Sequence, residues 1–182
     1  VKGAKYLKYK EIANNKEINA YLQKGNANLG QLGFTDHSQA HCVQVARQAG
    51  KILKRLGYSE HEIELAKIAG YMHDIGNTVN RYDHAHSSAV LAYGILKERE
   101  MKLEDILTIT SAIGQHDEET GTAVDAVSAA LILADKTDVR RNRVQNPVTP
   151  TLQWKKSKKM TLSHYWKKRD PVTRPIVIFF IP

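Results

Sequence analysis

The segment that most constrains the fold is residues 124–139, which is apolar almost all the way round when drawn as a helix. A helix of this kind has no polar face to turn toward water, so we predict that it is the central buried helix of the domain. Asp135 conflicts with this burial, because it directly follows the run Leu-Ile-Leu-Ala. A buried carboxylate is costly unless a partner satisfies it. Asp135 is therefore the first candidate functional residue.

The rest of the chain predicts more helices. Apolar residues recur three and four positions apart, as on one face of an amphipathic helix, in the segments 5–24, 35–56, 60–73, 84–99 and 103–116. In the fourth of these segments we expect Val90 and Ile95 to face inward. Strand patterning is absent until the apolar run 176–181. We predict an all-α fold, a helical bundle of five to six core helices.

Capping signals and glycines predict where these helices begin and end. Ser59 followed by Glu62 is a capping-box pattern and starts a helix. Thr35 or Asp36 is the expected N-cap of the preceding helix. Glycines and asparagines cluster at residues 25–33, which predicts a loop between the first two helices.

The positive charge is concentrated at one end of the chain. The net charge of the chain is +8. Residues 140–182 contain 11 of the 27 lysines and arginines, but their one acidic residue is Asp170. Residues 1–139 are therefore close to neutral, and the pattern indicates a near-neutral domain with a basic tail. Aromatic residues within this tail leave nucleic-acid binding as an alternative use for it.

Composition favours a cytoplasmic protein. The chain has 182 residues, 42% of them hydrophobic and 25% charged, as in ordinary globular domains. Cys42 is the one cysteine, so an internal disulfide is excluded and a reducing compartment is expected. The first residues do not resemble a secretory signal, and no apolar run approaches the roughly 20 residues of a membrane span.

Imidazole and carboxylate side chains recur at comparable places on successive predicted helices, which indicates a metal site. The candidate ligands are His41, His73, Asp74, His86, His116 and Asp135. Helical bundles build metal sites from inward-facing side chains of neighbouring helices. Mixed imidazole and carboxylate ligands suit Mn, Fe, Co, Ni or Zn better than Mg or Ca. We therefore expect one or two divalent first-row transition metals.

Four phrases together resemble the HD-domain superfamily of metal-dependent phosphohydrolases. They are DHSQAHCVQVAR at 36–47, HDIG at 73–76, HSSA at 86–89 and LADKTD at 133–138. The resemblance covers residues 34–140. We accordingly divide the chain into an N-terminal helix and loop (1–33), an HD-type metal-binding domain (34–140) and a basic C-terminal segment (141–182).

The resemblance implies roles for the candidate ligands. Asp74 would be catalytic and would bridge two metals, with His41, His73 and Asp135 holding the first metal. His86 and His116 resemble the additional histidines of members with two metals, including the HD-GYP subgroup. The reaction implied is hydrolysis of a phosphate ester of a nucleotide or related small molecule by a metal-activated water.

Three further residues are candidates for contact with the substrate. His37 precedes His41 by four positions and so would share its helix face, as a catalytic residue, a phosphate contact or an extra ligand. Lys136 and Arg140 follow Asp135 and are candidate substrate-binding residues. We expect His84, which is two positions from His86, to lie on the surface.

Two departures from the family pattern leave alternatives open. Many relatives have lysine after His-Asp-Ile-Gly, whereas this chain has Asn77. Only His116 and Gly121 match the HD-GYP pattern, so specificity for a cyclic dinucleotide does not follow. The alternatives are a catalytically weak binding or regulatory module and an RNA-associated protein acting through its tail. We expect a small-molecule phosphate ester as the partner, ahead of a nucleic acid, and no membrane.

Overall fold

The architecture is taken from a computed structural model that describes residues 5–117 and 120–138. Its helices are α1 Tyr9–Ala13, α2 Lys16–Gln31, α3 Gln39–Arg55, α4 Glu60–Met72, α5 His84–Glu98, α6 Leu103–Gly114 and α7 Ala126–Thr137, with a 3₁₀ helix at Ile75–Thr78. In these ranges the β structure is limited to one isolated bridge, between Lys5 and Met101. The all-α prediction is confirmed. The predicted tail, 141–182, lies outside the described residues.

Helix α7 is largely buried, as its apolar sequence predicts. It packs against α3, α4 and α6, and none of its residues from Val127 to Ala134 is exposed. Its start is fixed by Asp125, whose side chain accepts a hydrogen bond from the Ser128 backbone N–H at 2.7 Å. The predicted burial of this segment is confirmed, whereas the most central helix is α4, which packs against α1, α3, α6 and α7.

Capping explains where α3 and α4 begin. Ser59 caps α4 with the predicted capping box, in which its backbone N–H donates to Glu62 Oε2 at 3.0 Å. The predicted cap of α3 at Thr35 or Asp36 is wrong, because the helix begins after Ser38. Ser38 Oγ donates to Asp36 Oδ2 at 2.7 Å, so the aspartate stabilises the turn before the helix.

The predicted loop at residues 25–33 is wrong, because α2 continues through most of it. The helix starts at the Asn15 cap and runs to Gln31. Gly25 serves close packing here: a Cβ at this position would lie 3.1 Å from the backbone nitrogen of Thr78 and 3.2 Å from Asn77. This position requires a small residue because there is no room for a side chain, and the glycine does not form a turn. It lets α2 pack tightly against the 3₁₀ helix.

The start of α5 is fixed by two unusual backbone positions. Asp83, its N-cap, has a φ of 62°, which is the left-handed conformation. Gly76 packs so tightly against α5 that a Cβ there would lie 2.3 Å from the carbonyl oxygen of His84 and 2.5 Å from Ser88 N. These two positions set the rotation of α5 about its axis. With this rotation Val90 faces outward and is 73% exposed, so our expectation that it faces inward is wrong.

No helix among residues 5–117 and 120–138 has both the length and the apolar content needed to cross a membrane.

We expect Gly76→Ala to destabilise the protein by about 1–3 kcal/mol, because the added methyl group overlaps the α5 backbone. Gly94→Ala is the matched control. A Cβ at Gly94, in the interior of α5, meets nothing within 4 Å, so this change should stabilise by about 0.5–1 kcal/mol. Urea unfolding followed by circular dichroism measures both. Equal effects of the two changes would contradict the close packing at Gly76.

Candidate metal centre

Five helices bring imidazole and carboxylate groups together at one place, mostly through residues at or just beyond helix ends. His41 lies in the first turn of α3, and His73 and Asp74 follow α4. His84 is the first residue of α5, and His116 lies two residues after α6. Asp135 lies in the last turn of α7. Its side chain is 14% exposed and is the most accessible of the group.

The first half of this cluster, which we call subsite 1, consists of His41, His73, Asp74 and Asp135. His41 Nε2 lies 3.2 Å from Asp135 Oδ1 and 3.6 Å from Asp74 Oδ2. His73 Nε2 lies 3.2 Å from Asp74 Oδ2 and 3.6 Å from Asp135 Oδ1. Two ring nitrogens and two carboxylate oxygens therefore face one another.

Three buried polar atoms of subsite 1 make no hydrogen bond to the described part of the chain. They are His41 Nε2, His73 Nε2 and Asp74 Oδ2. A buried polar atom without a partner costs about 1–3 kcal/mol, and more when it is charged. Two imidazole nitrogens and a carboxylate oxygen are ligands that a divalent transition metal accepts. The orphaned atoms thus have the chemistry of a metal site.

Hydrogen bonds on the opposite ring nitrogens orient the histidines toward the cluster. Nδ1 of His73 donates to Gly70 O at 2.9 Å, and Nδ1 of His116 donates to Ile113 O at 2.6 Å, in each case three residues earlier. Nδ1 of His41 instead contacts Asp138 Oδ2 at 2.7 Å. Such partners fix the tautomer and leave Nε2 for a ligand.

The second half, subsite 2, consists of Asp74, His84 and His116. Their ligand atoms lie within 4.8 Å of one another, and all three residues are buried. The His84 and His116 rings meet edge to face, with centroids 5.0 Å apart. Asp74 belongs to both subsites, since Oδ2 faces subsite 1 and Oδ1 lies 3.6 Å from His84 Nε2. Asp74 is therefore the residue that the two subsites have in common.

The structure brings His84 and not His86 into the cluster, which corrects the expectation for both residues. His84 is 4% exposed, whereas the His86 side chain is 58% exposed and pairs with Asp83. Two positions along a helix correspond to a rotation of about 200°, so the two rings point in nearly opposite directions. His84, Ser88 and Ala92 are all buried and lie four residues apart. This spacing is the sequence pattern that identifies the inward face of α5.

The remaining predicted substrate contacts lie beside the centre or outside the described residues. His37 precedes α3, so it does not share a helix face with His41, but their rings still lie 5.5 Å apart. Lys136 Nζ donates to Asp135 Oδ2 at 3.0 Å. Arg140 lies outside the described residues.

Sequence reasoning missed two residues that act on the ligands. Asp138, the last residue of the phrase LADKTD, is the partner of His41 described above. Asn77 is 2% exposed, and its Nδ2 donates to Asp74 Oδ1 at 2.8 Å and to Asp74 O at 3.1 Å. Asn77 therefore orients the shared carboxylate and does not itself face solvent.

The carboxylates and imidazoles shift one another's pKa values strongly. Burial would lower the pKa of His73, but Asp74 and Asp135 outweigh it and raise this pKa to about 10. Burial would raise the pKa of Asp74, but neighbouring imidazoles, first among them His73, hold it well below its usual range. For His116, burial and the nearby His73 lower the pKa to about 3.

We expect divalent-metal affinity to rise with pH by roughly tenfold per unit between pH 6 and 8, because a metal must displace the His73 proton, whose pKa is about 10. Calorimetric titration with Mn²⁺ at several pH values measures this. His86→Ala is the control and should bind Mn²⁺ as the unchanged protein does, since His86 is exposed and outside the cluster. A flat pH dependence would contradict the displacement of a proton from His73 by the metal.

Comparison with known proteins identifies the family. A model of the HD domain matches residues 39–145, which is more than half of the chain. The chain belongs to the HD domain family. The match includes all the members of the two subsites, so these residues lie within the domain that defines the family. The resemblance read from the sequence is thereby confirmed.

Individual relatives share part of their length with this chain. An uncharacterized protein of Methanocaldococcus jannaschii, MJ1020, is 30% identical over 171 residues, covering 81% of this chain and 65% of that protein. Ribonuclease Y of Petrotoga mobilis and of Acetivibrio thermocellus are 30% and 31% identical over 122 residues. These matches cover 65% of this chain but only 23% and 22% of the two ribonucleases.

A solved structure has the same fold. It is a predicted HD superfamily hydrolase from an uncultured Thermotogales bacterium, with a TM-score of 0.51 and 24% sequence identity. The match covers 66% of each chain. At this identity the likeness concerns the fold.

Proposed function

We propose that this protein is a metal-dependent phosphohydrolase that cleaves a phosphate ester of a nucleotide or related small molecule. The observation that carries the proposal is the set of orphaned atoms in subsite 1, two imidazole nitrogens and a carboxylate oxygen facing one another in a buried site. Membership of the HD domain family supports the same chemistry.

His41, His73, Asp74 and Asp135 would hold the metal. A divalent cation bound there supplies a Lewis acid that polarises a phosphoryl oxygen and activates water. Two further residues keep these ligands in position, since Asp138 contacts His41 Nδ1 and Asn77 donates to Asp74 Oδ1. Outer partners of this kind typically contribute 10–100-fold to metal affinity or activity.

We assign to His37 the protonation of the leaving group. Its ring centroid lies 5.5 Å from that of the fully buried His41, and His37 itself is only partly buried, so it stands between the ligands and solvent. Nδ1 contacts Thr35 O at 2.7 Å, which fixes the proton on that nitrogen and makes Nε2 the atom that transfers a proton. Imidazole is the side chain that most often transfers protons in enzyme sites, and it suits this role.

A second candidate substrate is an RNA phosphodiester. The similarity to two ribonuclease Y sequences favours it, as does the charge of residues 140–182. The same metal ligands serve monoester and diester hydrolysis, so the choice depends on the groups around the metal. A panel of p-nitrophenyl phosphate, bis(p-nitrophenyl) phosphate, nucleoside monophosphates and a short labelled RNA separates the two candidates.

We expect Asp74→Asn to reduce turnover of the best substrate about 100-fold or more, because it removes the charged ligand shared by both subsites. The substituted amide has nearly the same size, so the circular dichroism spectrum should be unchanged. His86→Ala, an exposed histidine of the same region, is the control and should retain activity.

Two results would contradict the proposal. Equal turnover by Asp74→Asn and the unchanged protein would show that the activity arises elsewhere. Stoichiometric metal binding with no turnover of any substrate in the panel would favour the binding or regulatory module instead.

A further inference from the structure

Arg81 is the cationic side chain that the described structure places against subsite 2. Its Nη1 lies 3.3 Å from His84 Nε2 and 3.4 Å from Asn77 Oδ1. Its guanidinium carbon lies 5.6 Å from the centre of the Phe34 ring, a cation–π arrangement. Contacts from three separate parts of the chain therefore position this guanidinium at the cluster.

Arg81 also determines which nitrogen of His84 is available. Nδ1 of His84 donates to the Arg81 carbonyl oxygen at 3.1 Å, so the lone pair of the neutral ring is on Nε2. That lone pair accepts the hydrogen bond from the Arg81 guanidinium. A metal in subsite 2 would need the same lone pair. The lone pair on His84 Nε2 can therefore bind either the guanidinium or a metal, but not both.

The two subsites differ in whether their polar atoms are satisfied. In subsite 1, three buried atoms lack a hydrogen-bond partner among the described residues. In subsite 2, Asp74 Oδ1 accepts from Asn77 and His84 Nε2 accepts from Arg81. The chain itself thus provides hydrogen bonds for these atoms of subsite 2, whereas the three atoms of subsite 1 face one another without one.

Charge favours the same conclusion. Subsite 2 contains a single carboxylate, Asp74, which it shares with subsite 1. A second carboxylate, Asp117, lies on the far side of the His84 ring, with its Oδ2 3.5 Å from Nδ1. The Arg81 guanidinium lies against Nε2 of the same ring, so a second divalent cation in subsite 2 would be repelled by the first metal and by the arginine. Arginine is moreover suited to phosphate, because its planar fork of N–H donors matches two phosphoryl oxygens.

We propose that the centre takes one divalent metal, at subsite 1, and that Arg81 supplies the second positive charge and binds the phosphate group of the substrate. This inference rests on the proposed function, because it names the residue that binds the substrate phosphate beside the metal of subsite 1. It makes Arg81 a substrate-binding residue and His84 the residue that, with Asn77 and Phe34, positions it.

The first test is metal stoichiometry. Co²⁺ is titrated into the purified protein and followed by visible absorption, with bound metal counted by elemental analysis after dialysis. The unchanged protein should bind one Co²⁺ per chain tightly. Arg81→Met frees the His84 lone pair and removes a positive charge, so it should tighten binding of a second Co²⁺ by tenfold or more.

The second test is phosphate affinity. Inorganic phosphate is titrated calorimetrically into protein loaded with one Co²⁺. Arg81→Met should weaken phosphate binding at least tenfold, and Arg81→Lys should recover part of that loss because it restores the charge without the planar fork. Arg55→Met, which changes an exposed arginine at the end of α3, is the matched control and should alter neither measurement.

Each outcome supports or overturns the inference, and the inference can fail without the proposed function. Two tightly bound Co²⁺ in the unchanged protein would overturn the inference alone. The inference would also be overturned if Arg81→Met and the unchanged protein bound a second Co²⁺ with the same affinity. Equal affinities of the two proteins for phosphate would overturn it as well. No Co²⁺ binding by the correctly folded protein would overturn the proposed function together with the inference. Circular dichroism of all variants establishes folding.

Discussion

The burial of the Asp74 carboxylate is the constraint on which the rest of the structure depends. Asp74 is 2% exposed in an all-helical core, where an uncompensated charge would cost several kcal/mol. Its oxygens are divided between two environments: Oδ1 accepts from Asn77, while Oδ2 faces the His41 and His73 imidazoles without a hydrogen bond. The fold can retain this charge because cationic or metal partners reach it from several helices at once.

Helix ends make such convergence possible. A residue just beyond the last turn of a helix can place its side chain against the backbone of that turn, where carbonyl oxygens lack helical partners. His73 and His116 use this arrangement, since each donates from Nδ1 to a carbonyl oxygen three residues earlier. This hydrogen bond holds each ring against the end of its helix and directs Nε2 into the cluster. The helices need only bring their ends together, and the contacts of α7 with α3, α4 and α6 and of α5 with α6 achieve this.

The sequence predicted the all-α class, the burial of α7 and most of the cluster, because those depend on helical periodicity and on the cost of burying Asp135. It did not predict features that depend on contacts between distant segments. Gly25 looked like a turn residue, since its sequence cannot reveal that Thr78 packs against it. His86 was preferred to His84 because the rotation of α5 depends on Asp83 and on how closely Gly76 approaches that helix.

Arg81 illustrates why the chemistry of a site is harder to predict than its ligands. In the sequence it is one cation between two predicted helices, and Asn77 stands where many relatives have lysine. In the structure the two residues act as a pair, since Asn77 Nδ2 holds Asp74 and Asn77 Oδ1 accepts from Arg81. A lysine at position 77 could donate to the carboxylate but could not accept a hydrogen bond from Arg81. The amide is therefore the group that allows one residue to link the buried carboxylate to an arginine nearer the solvent.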